Sequence, residues 1–160
     1  MDIREALVAD ADAIGAFQSA CWEQTYRGVV PDAFLDSSAS RDRAARWAER
    51  IRSGGRRVLI ALRDGRLSGV VSTAPTDPGA DDLPALELCT LYLDRDVHGT
   101  GLADRLLDAA IGGEDAHLLV FSVNERAKRF YARHGFLPSG APETDPGTGL
   151  DEERWVRRAS

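Results

Sequence analysis

The chain has 160 residues, 43% of them hydrophobic and 29% charged, with a net charge of -6, which suits one domain with a core of its own. No apolar run approaches the roughly 20 residues a membrane helix needs, and the acidic balance excludes non-specific nucleic-acid binding, which needs a basic surface. Asp2, Arg4 and Glu5 leave no apolar leader at the start, and Cys21 and Cys89 lie far apart with no histidine at metal-ligand spacing, so a cytoplasmic protein with free thiols and no metal is expected.

Residues 2 to 6 alternate and predict a short first strand. Asp10 or Asp12 can cap a helix that carries Ile14, Phe17 and Cys21 on one face. The stretch from Trp22 to Asp36 breaks at Gly28 and Pro31 and predicts a loop, then a short helix holding Phe34 and Leu35. A further helix runs through Ala44, Trp47 and Ile51 until Gly54 and Gly55 stop it. Runs 57–62 and 67–73 flank Asp64-Gly65, a strong hairpin signal. A Pro, Gly and Asp-rich loop over 75–84 precedes a strand over 85–93. Then come a glycine-rich turn, a helix with Leu102, Leu106 and Ala109 on one face, and an apolar strand over 117–122. Asn124 can cap the next helix, which buries Ala127, Phe130 and Tyr131 and ends at Gly135. Residues 139–152 predict a loop, and 153–157 a last strand. This order implies an α/β fold with a mixed sheet, helices on both faces and a parallel strand–helix–strand unit over 85–122.

The turn His98-Gly99-Thr100-Gly101 ends a strand and opens a helix. Glycine lets the backbone approach a ligand and adopt positive φ. The first N–H groups of a helix have no internal partner, and with the helix dipole they make a site for pyrophosphate. A plain tight turn would use the same glycines. The third glycine of a dinucleotide fingerprint and the Gly-Lys-Ser/Thr of a nucleotide P-loop are both absent.

The run His98, Gly99, Thr100, Gly101, Leu102 and Ala103 resembles the acetyl-CoA motif of Gcn5-related N-acetyltransferases (GNAT), Gln/Arg-x-x-Gly-x-Gly/Ala, with His98 in place of the usual Gln or Arg. The segment from Asn124 through Ala127, Phe130 and Tyr131 to Gly135-Phe136 is similar to a second motif of that family. The resemblance covers Asp2 to about Leu137 in element order. It implies a central mixed, mostly antiparallel sheet of six or seven strands, with one parallel pair that splays apart and helices on both faces. It also implies acetyl-CoA as cosubstrate, an amine of a small molecule or peptide as acceptor, and the homodimers common in the family.

Acetyl transfer to an amine needs a base, an oxyanion site and an acid for the leaving thiolate. By the resemblance, backbone N–H groups near Leu91, Tyr92 and Leu93 receive the thioester oxygen and pair with the pantetheine arm, and Asn124 adds a hydrogen bond to it. The resemblance also makes Tyr131 the acid and, by its offset from His98, Glu87 the base. Alternation places Glu87, Cys89, Leu91 and Leu93 on one face, where apolar neighbours would favour a neutral carboxyl; a solvent-facing charge or an arginine partner is the alternative. Trp22 and Tyr26 lie where the family forms its acceptor wall. A CoA-binding sensor or partner-binding domain that has lost turnover is the alternative function.

Overall fold

The computed structural model describes residues 1–37 and 40–159. Strand β1 (Asp2–Glu5) is followed by helices α1 (Ala11–Tyr26), α2 (Asp32–Ser37) and α3 (Ser40–Ser53). The hairpin β2 (Arg57–Arg63) and β3 (Arg66–Pro75), then β4 (Leu86–Leu93), α4 (Leu102–Ile111), β5 (Ala116–Phe121) and α5 (Glu125–Arg133) come next. Short strands β6 (Leu137–Pro138) and β7 (Glu143–Thr144) precede β8 (Asp151–Arg157). One sheet of eight strands runs in the order β1-β2-β3-β4-β5-β8-β6, with β7 on β8. Every pairing is antiparallel except β4 with β5.

Alternation along the strands divides the core in two. Val58, Ile60 and Val70 pack with Ile14 and Trp47 beneath α1 and α3. Leu59, Ala61 and Val71 face the other way, onto Leu102, Leu106 and Leu107 of α4 and toward Tyr131 of α5. Trp47 is fully buried, and its indole N–H donates to Gln18 Oε1 at 2.9 Å.

Three sequence expectations change. Helix α1 continues through Tyr26, so Trp22 and Tyr26 stand one turn apart on a helix and not in a loop. Residues 139–152 contain β7, which pairs Glu143 with Glu152, and with β6 it brings the sheet to eight strands where six or seven were expected. In β4 the register shifts, with Ser72 opposite Thr90 but Thr73 opposite Leu88, leaving Cys89 as an extra residue in a bulge. The bulge reverses the alternation. Leu91 and Leu93 join Leu88 on the α4 side, and Tyr92 packs on the α1 side. The expected single face for Glu87, Cys89, Leu91 and Leu93 is therefore broken; of these residues Glu87 lies beside Cys89, with Oε1 3.9 Å from Sγ.

Leu106 is fully buried where α4 lies on the sheet. Leu106→Ala is expected to lower unfolding stability by about 2–5 kcal/mol. Urea titration would read this as a lower midpoint at unchanged slope.

Candidate active site

Among the described residues β4 and β5 pair at one position, Glu87 opposite His117. The side chains bind that point together across three strands. Arg154 of β8 donates to His117 Nδ1 at 2.8 Å and to Glu87 Oε2 at 3.3 Å. A guanidinium can only donate, so Nδ1 accepts and the other ring nitrogen carries the proton. That Nε2–H lies 2.7 Å from Thr76 Oγ1, which in turn donates to the carbonyl of Pro84. Burial, then Arg154, hold the His117 pKa below its ordinary value, with Glu87 opposing.

Past this clasp the strands part. The Asp94 N–H donates to Ser68 O of the β3 side at 3.0 Å. Strand alternation then turns the N–H groups of Leu93 and Leu91 to the opposite edge, where β5 has moved away. Between the parted strands, α1, α4 and α5 lies a cavity of about 880 Å³.

A glycine turn and several arginines line this cavity. Gly99 and Gly101 adopt φ of 78° and 85°, and a side chain added at either would meet open space. Gly101 is the N-cap of α4 and supplies no side-chain hydrogen bond to its first N–H groups. Arg126, Arg129 and Arg133 of α5 and Arg95 line the same cavity. Arg126 and Arg129 have no acidic partner among the described residues, whereas Arg133 reaches Asp104 at 3.5 Å. His98 is a partner of Arg126 rather than a second cation. Its Nδ1 accepts from the guanidinium, and burial followed by the Arg126 charge depresses its pKa.

All three tyrosines of the chain line the cavity. The Tyr92 hydroxyl accepts from the Trp22 indole at 3.0 Å. The Tyr26 hydroxyl accepts from Asn124 Nδ2 at 3.0 Å, and burial pushes its pKa up to about 12. Asn124 also caps α5, its Oδ1 accepting from the Ala127 N–H at 3.1 Å. Tyr131 is buried, yet its hydroxyl has no hydrogen-bond partner among the described residues. Burial raises its pKa, with Tyr92 and Tyr26 adding to the effect. Trp22 and Tyr26 form an aromatic corner with Phe121 of β5, whose ring meets theirs edge-on at 5.8 and 5.3 Å.

Of the residues singled out from sequence, the structure brings Trp22, Tyr26, Leu91, Tyr92, Leu93, His98, Gly99, Gly101, Ala103, Asn124 and Tyr131 to this cavity. Thr100 and Leu102 serve the loop itself. Thr100 Oγ1 donates to Val97 O at 2.5 Å, and Leu102 is buried in the core. Glu87 does not line the cavity. Its carboxylate belongs to the clasp with Arg154 because the Cys89 bulge turns the strand between Glu87 and Leu91. The α5 arginines were missed, although their spacing of three and four residues already places them on one helical face. Glu152, which also lines the cavity, carries no such signal.

A family model described as an acetyltransferase (GNAT) domain matches residues 22–149. An uncharacterized N-acetyltransferase of Mycobacterium tuberculosis is 33% identical over 147 residues, covering 83% of this chain and 86% of that protein. Among solved structures, a ribosomal-protein-alanine N-acetyltransferase from Brucella melitensis superposes with a TM-score of 0.73 at 21% identity, covering 98% of this chain and 99% of that one. The PaiA N-acetyltransferase from Thermoplasma acidophilum, solved in complex with coenzyme A, gives 0.70 at 18% identity over 99% and 98% of the two chains.

The clasp makes a pH prediction. The folded chain keeps His117 neutral, whereas the unfolded chain protonates it below about 6.5. Stability from this group is complete above that value and is lost as the pH falls. The Tm is expected to drop between about pH 7.5 and pH 5.5, and His117→Gln should flatten that slope whatever it does to the absolute Tm.

Proposed function

The chain belongs to the GNAT family of N-acetyltransferases, and from that premise we propose that its cavity moves an acetyl group from acetyl-CoA to a primary amine by direct transfer. The observation that carries this reading is the parting of β4 and β5 beside an open glycine turn at a helix N-terminus.

The residues present fit the cosubstrate. The free N–H groups of α4 and the flanking glycines suit a pyrophosphate. Arg126, Arg129 and Arg133 supply the positive charge that its phosphates need, with His98 steering Arg126. The unpaired edge of β4 suits an extended amide-bearing arm, which would lie along it as an added strand.

When bound, acetyl-CoA supplies an acyl group already activated as a thioester. The N–H groups of Leu91 and Leu93 are then the donors for its carbonyl oxygen as that oxygen gains charge. A preorganised donor of this kind contributes about 3–4 kcal/mol to a rate. The partnerless hydroxyl of Tyr131 is the proton donor for sulfur. Burial keeps the proton on this phenol until a thiolate forms beside it. Tyr92 and Tyr26, whose oxygens are already engaged by Trp22 and Asn124, act as walls.

Calorimetric titration with acetyl-CoA is expected to show micromolar binding that Gly101→Glu abolishes, because the added carboxylate would occupy and repel the phosphate site. Absence of binding by the folded wild type would sink the proposal. Tyr131→Phe should lower kcat by about 10²-fold or more while binding of acetyl-CoA is retained. Unchanged turnover in that variant would remove Tyr131 from the mechanism.

A further inference from the structure

The cavity is lined by the α5 arginines and by the aromatic corner of Trp22, Tyr26 and Phe121. Two carboxylates also line it: Asp104, which is engaged by His134 and Arg133, and Glu152. Phe121 and Glu152 are direct partners in the β5–β8 register. Directly opposed residues project from the same face with Cβ atoms roughly 5 Å apart. The carboxylate is therefore held next to a ring that touches both Trp22 and Tyr26.

Glu152 stands apart from the other half-buried acids near it. Glu153 is engaged by Lys128 and the Trp155 indole, and Glu87 by Arg154. Glu152 has neither a hydrogen bond nor a salt bridge among the described residues, although it lines a cavity. A carboxylate partly removed from water without a partner is unfavourable, and an incoming cation would relieve that cost. Aromatic faces beside the carboxylate add attraction for an ammonium group.

We infer that Glu152 binds the ammonium group of the acceptor and takes its proton, and that the acceptor is a cationic aliphatic amine. This rests on the acetyl-transfer reading and deepens it. The charged groups around Glu152 agree with the role. Burial is the main influence raising its pKa; Asp145 and Glu143 of the facing segment add to this and Arg154 opposes it. A carboxylate of raised affinity for protons accepts one from an amine more readily than an ordinary one. In the transfer the C–N bond forms as the C–S bond breaks. The nitrogen gives up two protons: one goes to Glu152 and on to water, the other ends on sulfur by way of Tyr131. No other reactant is needed.

The test is thiol release from acetyl-CoA with 1,5-diaminopentane, a dication, against aniline, which is uncharged at neutral pH. The wild type is expected to favour the diamine. Glu152→Gln should lower kcat/KM for it by about 10²-fold or more and abolish the rise in rate as the carboxyl ionises. Glu152→Asp should restore part of the rate. Calorimetric binding of acetyl-CoA should be the same in all three proteins. Equal diamine turnover and an unchanged pH profile in Glu152→Gln would overturn the inference while acetyl transfer stands. So would a wild type that acetylates aniline and not the diamine. A wild type that fails to bind acetyl-CoA would instead take down the acetyl-transfer reading, and this inference with it.

Discussion

Strands β4 and β5 meet at Glu87 and His117, where Arg154 ties them together, and from there they diverge. Unpaired backbone groups inside a sheet are unfavourable unless something satisfies them, so a gap between neighbouring strands needs both a reason to open and a point beyond which it cannot spread. The clasp supplies the second. It draws one side chain from each of three strands and ends on Thr76 and the Pro84 carbonyl. The bulge at Cys89 acts on the same stretch, rotating β4 so that Leu91 and Leu93 rest on the α4 side of the core while their N–H groups face the gap. The β4 backbone is thereby left free along that edge.

Charge is laid out against the average of the chain. A net charge of -6 gives no hint of an anion site, yet arginines from α5 and Arg95 converge with the N-terminus of α4 on one part of the cavity. Net charge is a sum over the whole surface, whereas the field a ligand meets is set by the charges nearest to it. Glu152 lines the same cavity, which therefore presents charge of both signs.

The three tyrosines show how hydrogen bonding divides chemically equal groups. Tyr92 and Tyr26 have oxygens that already accept from an indole and an amide, which holds their rings in place. Tyr131 is as buried as Tyr26, but its hydroxyl is unpartnered among the described residues. A phenol in that position can still direct its proton toward something that arrives in the cavity.

The sequence by itself determined most of the elements and the glycine turn before α4, because these rest on local physics. Apolar spacing set the helices, the Asp64-Gly65 turn set the hairpin, Asn124 announced its cap, and the glycines of the turn implied positive φ before a helix. The face of the α5 arginines was equally local and readable from spacing. Tertiary structure alone decided which of the carboxylates Glu87 and Glu152 lines the cavity. Glu87 looked well placed by alternation, but one extra residue in β4 and a guanidinium from β8 took it out of the cavity. Glu152, in a segment of acidic residues with no distinguishing neighbour, gained its place from pairing with Phe121 across two strands distant in sequence. A bulge and a long-range strand register are properties of paired backbones, and no single stretch of sequence contains both partners.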